Sequence, residues 1–329
     1  MIVFRKALFT LLPCVAIIAA STGPVSAQTD YPNAKPISLV VPFPAGGGVD
    51  TVGRIISDQL AKDTTANIVI ENRGGAGGTI GVGYVARAKP DGYTLTMGSP
   101  GNISIAPSIY TRLTYQPAKD LQPVAMGVLM PLLLVSRVDA PFTNVEELVA
   151  YGKKNAGKLT YGSGGTGTSQ HLAGAMFAKM SNIDAVHVPY KGSSPMLIDL
   201  MAGRIDYTFI DTSAIPNIKS GKLKLLAVSS PKRSQLLPDT PTVAESGVPN
   251  FEATNWYGFF APAGTSPDIA KWLNGHIVKA LAEPAIIEKF NNQSMEPAPA
   301  MSVEEFANFV KRDTDKWSEL VSSMGLTLD

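Results

Sequence analysis

Val40-Val41-Pro42-Phe43-Pro44-Ala45-Gly46-Gly47-Gly48-Val49-Asp50 runs from a strand-like segment, through three consecutive glycines, into a helical pattern. Leu159-Thr160-Tyr161-Gly162-Ser163-Gly164-Gly165-Thr166-Gly167-Thr168-Ser169 repeats the same logic much later in the chain. Glycine lets the backbone come close to a ligand. The helix that follows opens on N–H groups that have no intrahelical partner and carry a partial positive charge. Strand, bare loop and helix start together make a main-chain anion site. Two of them predict two half-sites that close on one carboxylate-bearing molecule.

Working outward, short β-rich runs alternate with helical stretches, which argues an α/β fold. Ile37–Val41 reads as a buried strand, and Thr51–Lys62 as a helix with Val52, Ile55, Ile56 and Leu60 on one face. Ile68–Glu71 and Thr94–Met97 are further strands, separated by the turn Asn72–Gly78 and a helix over Thr79–Ala88. The loop Gly98–Asn102 precedes a short helix near Ala106–Tyr110. Leu121–Val135, broken by Gly127 and Pro131, reads as a strand, a crossing and another strand.

A second α/β set follows. Its strands fall at Leu159–Tyr161, Ala185–Val188, Tyr207–Phe209 and Leu223–Val228. Its helices fall at Val145–Asn155, Gln170–Met180 and from Ser194 to Gly203, the last with Pro195 at the first helical position. Trp256–Ala261 reads as a strand returning to the first set. In the tail, Ser266-Pro267-Asp268 opens one helix, and Ser302 with Glu305 makes a capping box for another. The division expected is an export segment at 1–27, one lobe at 28–130 plus 257–329, and a second lobe at 131–256. Two chain crossings make a hinge, and clefts between lobes favour small-molecule sites.

Arg5 and Lys6, the apolar run Ala7–Ala20 and the small residues Val25-Ser26-Ala27 read as a secretory signal peptide cleaved after Ala27. The product is expected in the periplasm, starting at Gln28. The single cysteine, Cys14, falls inside that segment, so the mature chain has no disulfide, thiolate metal site or cysteine nucleophile. Export without disulfides fits a bacterial periplasm. The 28 basic and 27 acidic residues give no electrostatic footprint for nucleic acid. Three scattered histidines make no metal set.

Backbone N–H groups of Ala45, Gly46 and Gly47 are the expected first jaw, with Phe43 as a wall and Asp50 as an N-cap that fixes the loop. Gly164, Gly165, Thr166, Gly167, Thr168 and Ser169 form the opposing jaw, where Thr168 or Ser169 must also cap the next helix. His171, just inside that helix, either donates to the anion or is a polar residue at a helix start. Tyr190 and Lys191 follow a strand, and Lys191 could pair with a second carboxylate or be a solvated surface lysine. Asp211 could accept from a ligand amine or hydroxyl, or order its own loop. Ser99 and Asn102 could donate from the first lobe.

The motifs resemble one family over the whole mature chain. They are Tyr31-Pro32…Pro36-Ile37, Val41-Pro42-Phe43-Pro44-Ala45-Gly46-Gly47, Val69-Ile70-Glu71-Asn72-Arg73-Gly74-Gly75-Ala76-Gly77-Gly78 and Lys89-Pro90-Asp91-Gly92-Tyr93-Thr94-Leu95. Tyr161–Gly167, Val188-Pro189-Tyr190-Lys191-Gly192 and Pro241-Thr242-Val243-Ala244-Glu245-Ser246-Gly247 continue the series. The chain resembles the Bug-type periplasmic solute receptors of tripartite tricarboxylate transporters. The resemblance implies a two-lobed periplasmic binding protein (type II, "Venus flytrap"). Such a protein captures a small mono- or dicarboxylate and presents it to membrane permease subunits. A monomer without cofactor is expected.

The alternative is an exported enzyme acting on a small carboxylate or nucleotide-like ligand. Gly81-Val82-Gly83-Tyr84-Val85-Ala86 matches a relaxed dinucleotide fingerprint, but its glycines are expected inside a helix rather than at its opening turn. Gly164–Ser169 lacks the lysine of a phosphate-binding loop, and no Gly-x-Ser-x-Gly elbow surrounds a plausible nucleophile. No enzymatic activity is expected.

Overall fold

The computed structural model describes residues 31–325 and Thr327. The export segment, its cleavage point and Cys14 lie outside the described residues. Two sheets build the protein. The chain begins with β1 (Ile37–Val41), α1 (Gly48–Asp63), β2 (Ile68–Asn72), α2 (Thr79–Val85) and β3 (Thr94–Gly98). A π-helical turn at Gly101–Ile105 leads into α3 (Ala106–Ile109), then α4 (Pro117–Asp120) and β4 (Leu121–Pro131). The second set is β5 (Leu133–Arg137), α5 (Val145–Lys154), β6 (Leu159–Ser163), α6 (Ser169–Ser181), β7 (Ala185–Pro189), α7 (Ser193–Met201), β8 (Tyr207–Ile210), α8 (Ile215–Lys219) and β9 (Leu223–Val228). The chain returns through β10 (Thr254–Pro262), α9 (Pro267–Ala282), α10 (Pro284–Asn292), β11 (Glu296–Pro297) and α11 (Val303–Met324).

The first sheet has the order β11-β4-β10-β3-β1-β2 and the second β7-β6-β8-β5-β9. β1 pairs in parallel with β2 and β3, and β6 in parallel with β7 and β8. Ile37, Leu39, Val40 and Val41 of β1 are all buried, as expected of a parallel strand covered on both faces. Val52, Ile56 and Leu60 of α1 pack against Ile37 and Leu39 in one core, the stripe that the helical spacing predicts. The glycines of the Gly81–Ala86 fingerprint lie inside α2, away from any strand-to-helix turn.

β4 and β5 meet at Leu132, one crossing between lobes; the second lies between β9 and β10. Ser229, fully buried, ties the two together. Leu132 N–H donates to Ser229 Oγ (2.7 Å) and Ser229 N–H to the Leu132 carbonyl (2.9 Å), while Ser229 Oγ donates to the Ala253 carbonyl. Helix α11 spans both cores: Phe306 packs with Trp256 and Phe260 beside the first sheet, whereas Trp317 and Val321 belong to the core of the second. Its Ser302–Glu305 capping box is present, and Ser266 caps α9.

One helix start differs from its sequence reading. α7 opens at Ser193 with Gly192 at the cap, so Pro195 is the third helical residue, not the first. That position still has no intrahelical acceptor for its N–H, so proline loses nothing there.

Candidate ligand-binding cleft

In each sheet the connections leave the central parallel strand in opposite directions, and crevices open at the carboxyl ends of the strands where this happens. In the first lobe the crevice lies beyond β1 and β3, where Phe43–Gly48 and Ser99 emerge. In the second it lies beyond β6 and β8, where Gly164–Gln170 and Asp211 emerge. Both crevices face one inner cavity of about 30 Å³, lined by Phe43, Pro44, Gly47, Gly48, Val49 and Ser99 from one side. Gly164, Thr168, Ser169, Gln170, Ser193 and Asp211 line the other side, and Asn255 and Tyr257 of β10 complete the wall. An outer chamber of about 230 Å³ shares Phe43 and Gly164 with it and is walled by Gly75–Gly78, Gly165, Thr166, Pro189, Tyr190 and Lys191.

The first jaw is held by Asp50. Its buried carboxylate accepts from Gly46 N–H (3.0 Å), Arg54 Nε (2.8 Å) and Asn72 Nδ2 (2.9 Å). Burial opposes ionisation, but the hydrogen bonds from Arg54, Asn72 and Gly46 outweigh it and hold the carboxyl below the usual range. Asp50 is therefore not the N-cap that the sequence suggested; Gly47 occupies the cap, without a side-chain bond, and Asp50 sits in the first turn. The loop-fixing role is the same, reached by reaching back to Gly46. As a result Gly46 N–H is already bonded. Among the described residues no acceptor takes the N–H groups of Gly47, Gly48 or Val49.

The second jaw is likewise self-bonded. Gly164 N–H donates to Gln170 Oε1 (2.5 Å), Gly165 N–H to Ser163 Oγ (3.2 Å) and Gly167 N–H to His171 Nδ1 (3.2 Å). Thr168 is the N-cap of α6, accepting from His171 N–H, and its own hydroxyl donates to the Gly165 carbonyl. Ser169 N–H and Gln170 N–H are the first-turn donors without an acceptor among the described residues. Beneath the turn His171 stacks on His187 at 4.0 Å between ring centroids, and His187 Nε2 lies 2.7 Å from Ser163 Oγ. Burial lowers His171 to about 4, and burial plus the neighbouring His171 lowers His187 to about 3. Accepting from Gly167 N–H at Nδ1 requires the neutral ring of His171.

Of the residues picked out by sequence, Phe43, Gly47, Ser99, Gly164, Thr168, Ser169 and Asp211 line the inner cavity, and Gly165, Thr166, Tyr190 and Lys191 the outer chamber. Ala45, Gly46, Asn102, Gly167 and His171 stand off both. Ala45 is exposed, its carbonyl accepting from Ser194 Oγ of the other lobe. Asn102 is fully buried and accepts from Ser99 N–H, shaping that loop. Gly167 is pressed against Tyr110, whose hydroxyl donates to the Thr166 carbonyl (2.7 Å).

Gln170, Ser193, Asn255, Tyr257 and the Gly75–Gly78 wall were not singled out. Asn255 lies just before the strand read at Trp256–Ala261, so the apolar run did not mark it; β10 begins at Thr254 and brings its side chain into the wall. Gly77 could have been read only from its neighbour: a Cβ there would meet the Thr166 carbonyl at 2.6 Å, so glycine lets two loops from different lobes touch.

No group of three or more His, Cys, Asp or Glu among the described residues could hold a metal ion. A family model described as "Tripartite tricarboxylate transporter family receptor" matches residues 52–326. Protein BugT of Bordetella pertussis is 34% identical, over 97% of this chain and 98% of its own. A solved R. palustris protein with adipate has a TM-score of 0.87 at 33% identity, covering 91% of this chain and 99% of its own. MatC from Rhodopseudomonas palustris, solved with bound malate, has a TM-score of 0.84 at 32% identity, covering 88% and 99%.

Proposed function

The chain belongs to the tripartite tricarboxylate transporter receptor family, and we propose that it is a monomeric periplasmic receptor that takes a small carboxylate into the cleft and hands it to membrane permease subunits. One observation carries the reading: the first turns of α1 and α6 converge on one cavity from opposite lobes, with N–H groups at Gly48, Val49, Ser169 and Gln170 that have no acceptor among the described residues. Donors and helix dipoles of that kind favour an anion. Two relatives solved with adipate and malate hold dicarboxylates. In this chain the outer chamber has room for a second carboxylate, with exposed Lys191 at its wall.

In this reading the donors are the helix starts rather than the glycines of the turns. Ser99 adds a hydroxyl, and Phe43 closes one side of both chambers. The first lobe is built on the first sheet, running to Pro131 and resuming at Thr254, and the second on the strands from Leu133 to Val228, with α11 reaching from one core to the other. The lobes hinge where Ser229 ties the crossings, so that ligand bound to both helix starts favours closure.

Mass spectrometry of small molecules released from natively purified protein, with a thermal-shift screen of carboxylates against their amides, tests the proposal. A true ligand at 100 times its Kd stabilises the fold by about 2.7 kcal/mol. Equal responses to acid and amide would refute an anion site.

A further inference from the structure

We propose that Asp211 sets the specificity of the inner cavity, admitting carboxylates that carry a proton donor, an ammonium or a hydroxyl, on the carbon beside the carboxylate. The inference rests on the receptor reading above and concerns what the ligand must bring besides its acid group.

Among the described residues that line the inner cavity, Asp211 is the only one with a formal charge, and no lysine, arginine or histidine accompanies it. It is 2% exposed, so water does not screen it. Its carboxylate lies against the start of α1: a Cβ built on Gly48 would stand 2.8 Å from Cγ and Oδ1. Tyr257 hydroxyl donates to Oδ2 at 2.7 Å, Ser193 hydroxyl to Oδ2 at 3.4 Å, and Ser213 N–H to Oδ1 at 2.9 Å. All of these donors are neutral. The positive end of α1, which would otherwise belong to an incoming anion alone, is thus shared with a resident one.

A second carboxylate entering this space meets a fixed like charge in a poorly screened site. A donor on the adjacent carbon changes the sign of that encounter. It can bond to the Asp211 oxygen while the acid group turns to the first-turn N–H groups of α1 and α6. An ammonium also cancels the charge. Nearby, Asn255 Oδ1 and Gln170 Oε1 already accept from Ser169 hydroxyl and Gly164 N–H, so Asp211 is the acceptor with charge to offer.

Calorimetric titration of the mature protein with succinate, L-malate and L-aspartate tests this, because the three differ only at one substituent beside a carboxylate. Adipate serves as a longer acid without a donor. Malate or aspartate is expected to bind at least ~10-fold tighter than succinate, which corresponds to ~1.4 kcal/mol. Asp211→Asn should remove most of that preference: the amide oxygen still accepts from Ser213 N–H and its NH2 can donate to the Tyr257 hydroxyl, but the charge and the second acceptor oxygen are gone. Succinate or adipate matching both donor-bearing acids in the wild type overturns the inference and leaves the receptor reading standing. So does an Asp211→Asn protein with the wild-type preference. If that variant does not fold, the wild-type order decides alone. If none of the four acids nor any other carboxylate binds, the receptor reading falls with it.

Discussion

Gly47→Val separates the cavity from the scaffold that holds it. Gly47 is buried and lines the inner cavity, yet a Cβ there would meet no atom within 4 Å, so its side-chain direction points into the space a ligand would fill. Its backbone, φ −86° and ψ 171°, is extended and suits a β-branched residue. The fold should lose only the difference between glycine and valine at a helix cap, on the order of 1 kcal/mol. An isopropyl group in a cavity of about 30 Å³ leaves no room for a carboxylate between the two helix starts. Affinity should fall at least ~100-fold, or ~2.7 kcal/mol. Gly46→Val is the contrasting variant. Gly46 has φ +86°, is exposed, and spends its N–H on Asp50, so valine there strains the turn by roughly 1–2 kcal/mol without entering the cavity. Calorimetric titration of both folded proteins, with the carboxylate that the screen identifies, should give opposite binding, lost in Gly47→Val and kept in Gly46→Val, while thermal denaturation shows Gly46→Val destabilised at least as much as Gly47→Val. A Gly47→Val protein with wild-type affinity would refute the assignment of ligand to this cavity.

The His171–His187 pair makes acid destabilising: the native protein keeps both rings neutral to about pH 4 and 3, whereas unfolded imidazole protonates near 6.5. Stability is therefore full above the unfolded value and falls as pH drops below it. The melting temperature should decline from pH 7 to 5, and less steeply in His187→Gln; an equal slope would show that the pair does not control it. Lys191→Met should weaken dicarboxylates by the 0.2–1 kcal/mol or so of an exposed ion pair and leave monocarboxylates unchanged, as paired calorimetry would show. Ser229→Ala orphans the Leu132 N–H and one bond to the Ala253 carbonyl, at about 1–3 kcal/mol per unsatisfied group, read as a lower denaturant midpoint.

Much of the fold was legible because it rests on local chemistry. The apolar run Leu121–Val135 announced two strands and a crossing, and the chain crosses at Leu132 between β4 and β5. Ser302 and Glu305 announced a helix start through a reciprocal pair of bonds that needs no partner elsewhere. What could not be read is what depends on distant packing. Phe306, Phe309, Val310, Trp317, Leu320 and Val321 recur along α11 at helical spacing as one apolar stripe, but Phe306 and Trp317 belong to different cores. The stripe records that a residue is buried, not against which sheet. Gly75–Gly78 looked like a turn because its wall partner, Thr166, lies far along the chain.

The glycine turns mark the limit of the argument from residue type. Glycine is consistent with a bare N–H aimed at a ligand, with a positive φ, and with close approach of another chain segment, and the same letter serves all three. At Gly46 it is a positive φ that lets Asp50 take the N–H. At Gly165 it is a positive φ of 138° with Gly77 N and the Tyr190 carbonyl each 3.2 Å from where a Cβ would stand. Only at Gly47 does the absent side chain leave open space facing the cavity. The turns thus give the cleft its shape, and in the proposed reading the anion is held by the helix starts behind them, where N–H groups are left unpaired by the geometry of the helix itself. Placing Asp211 against one of those starts makes the cleft less a general anion trap than one whose second requirement is written in a single buried carboxylate.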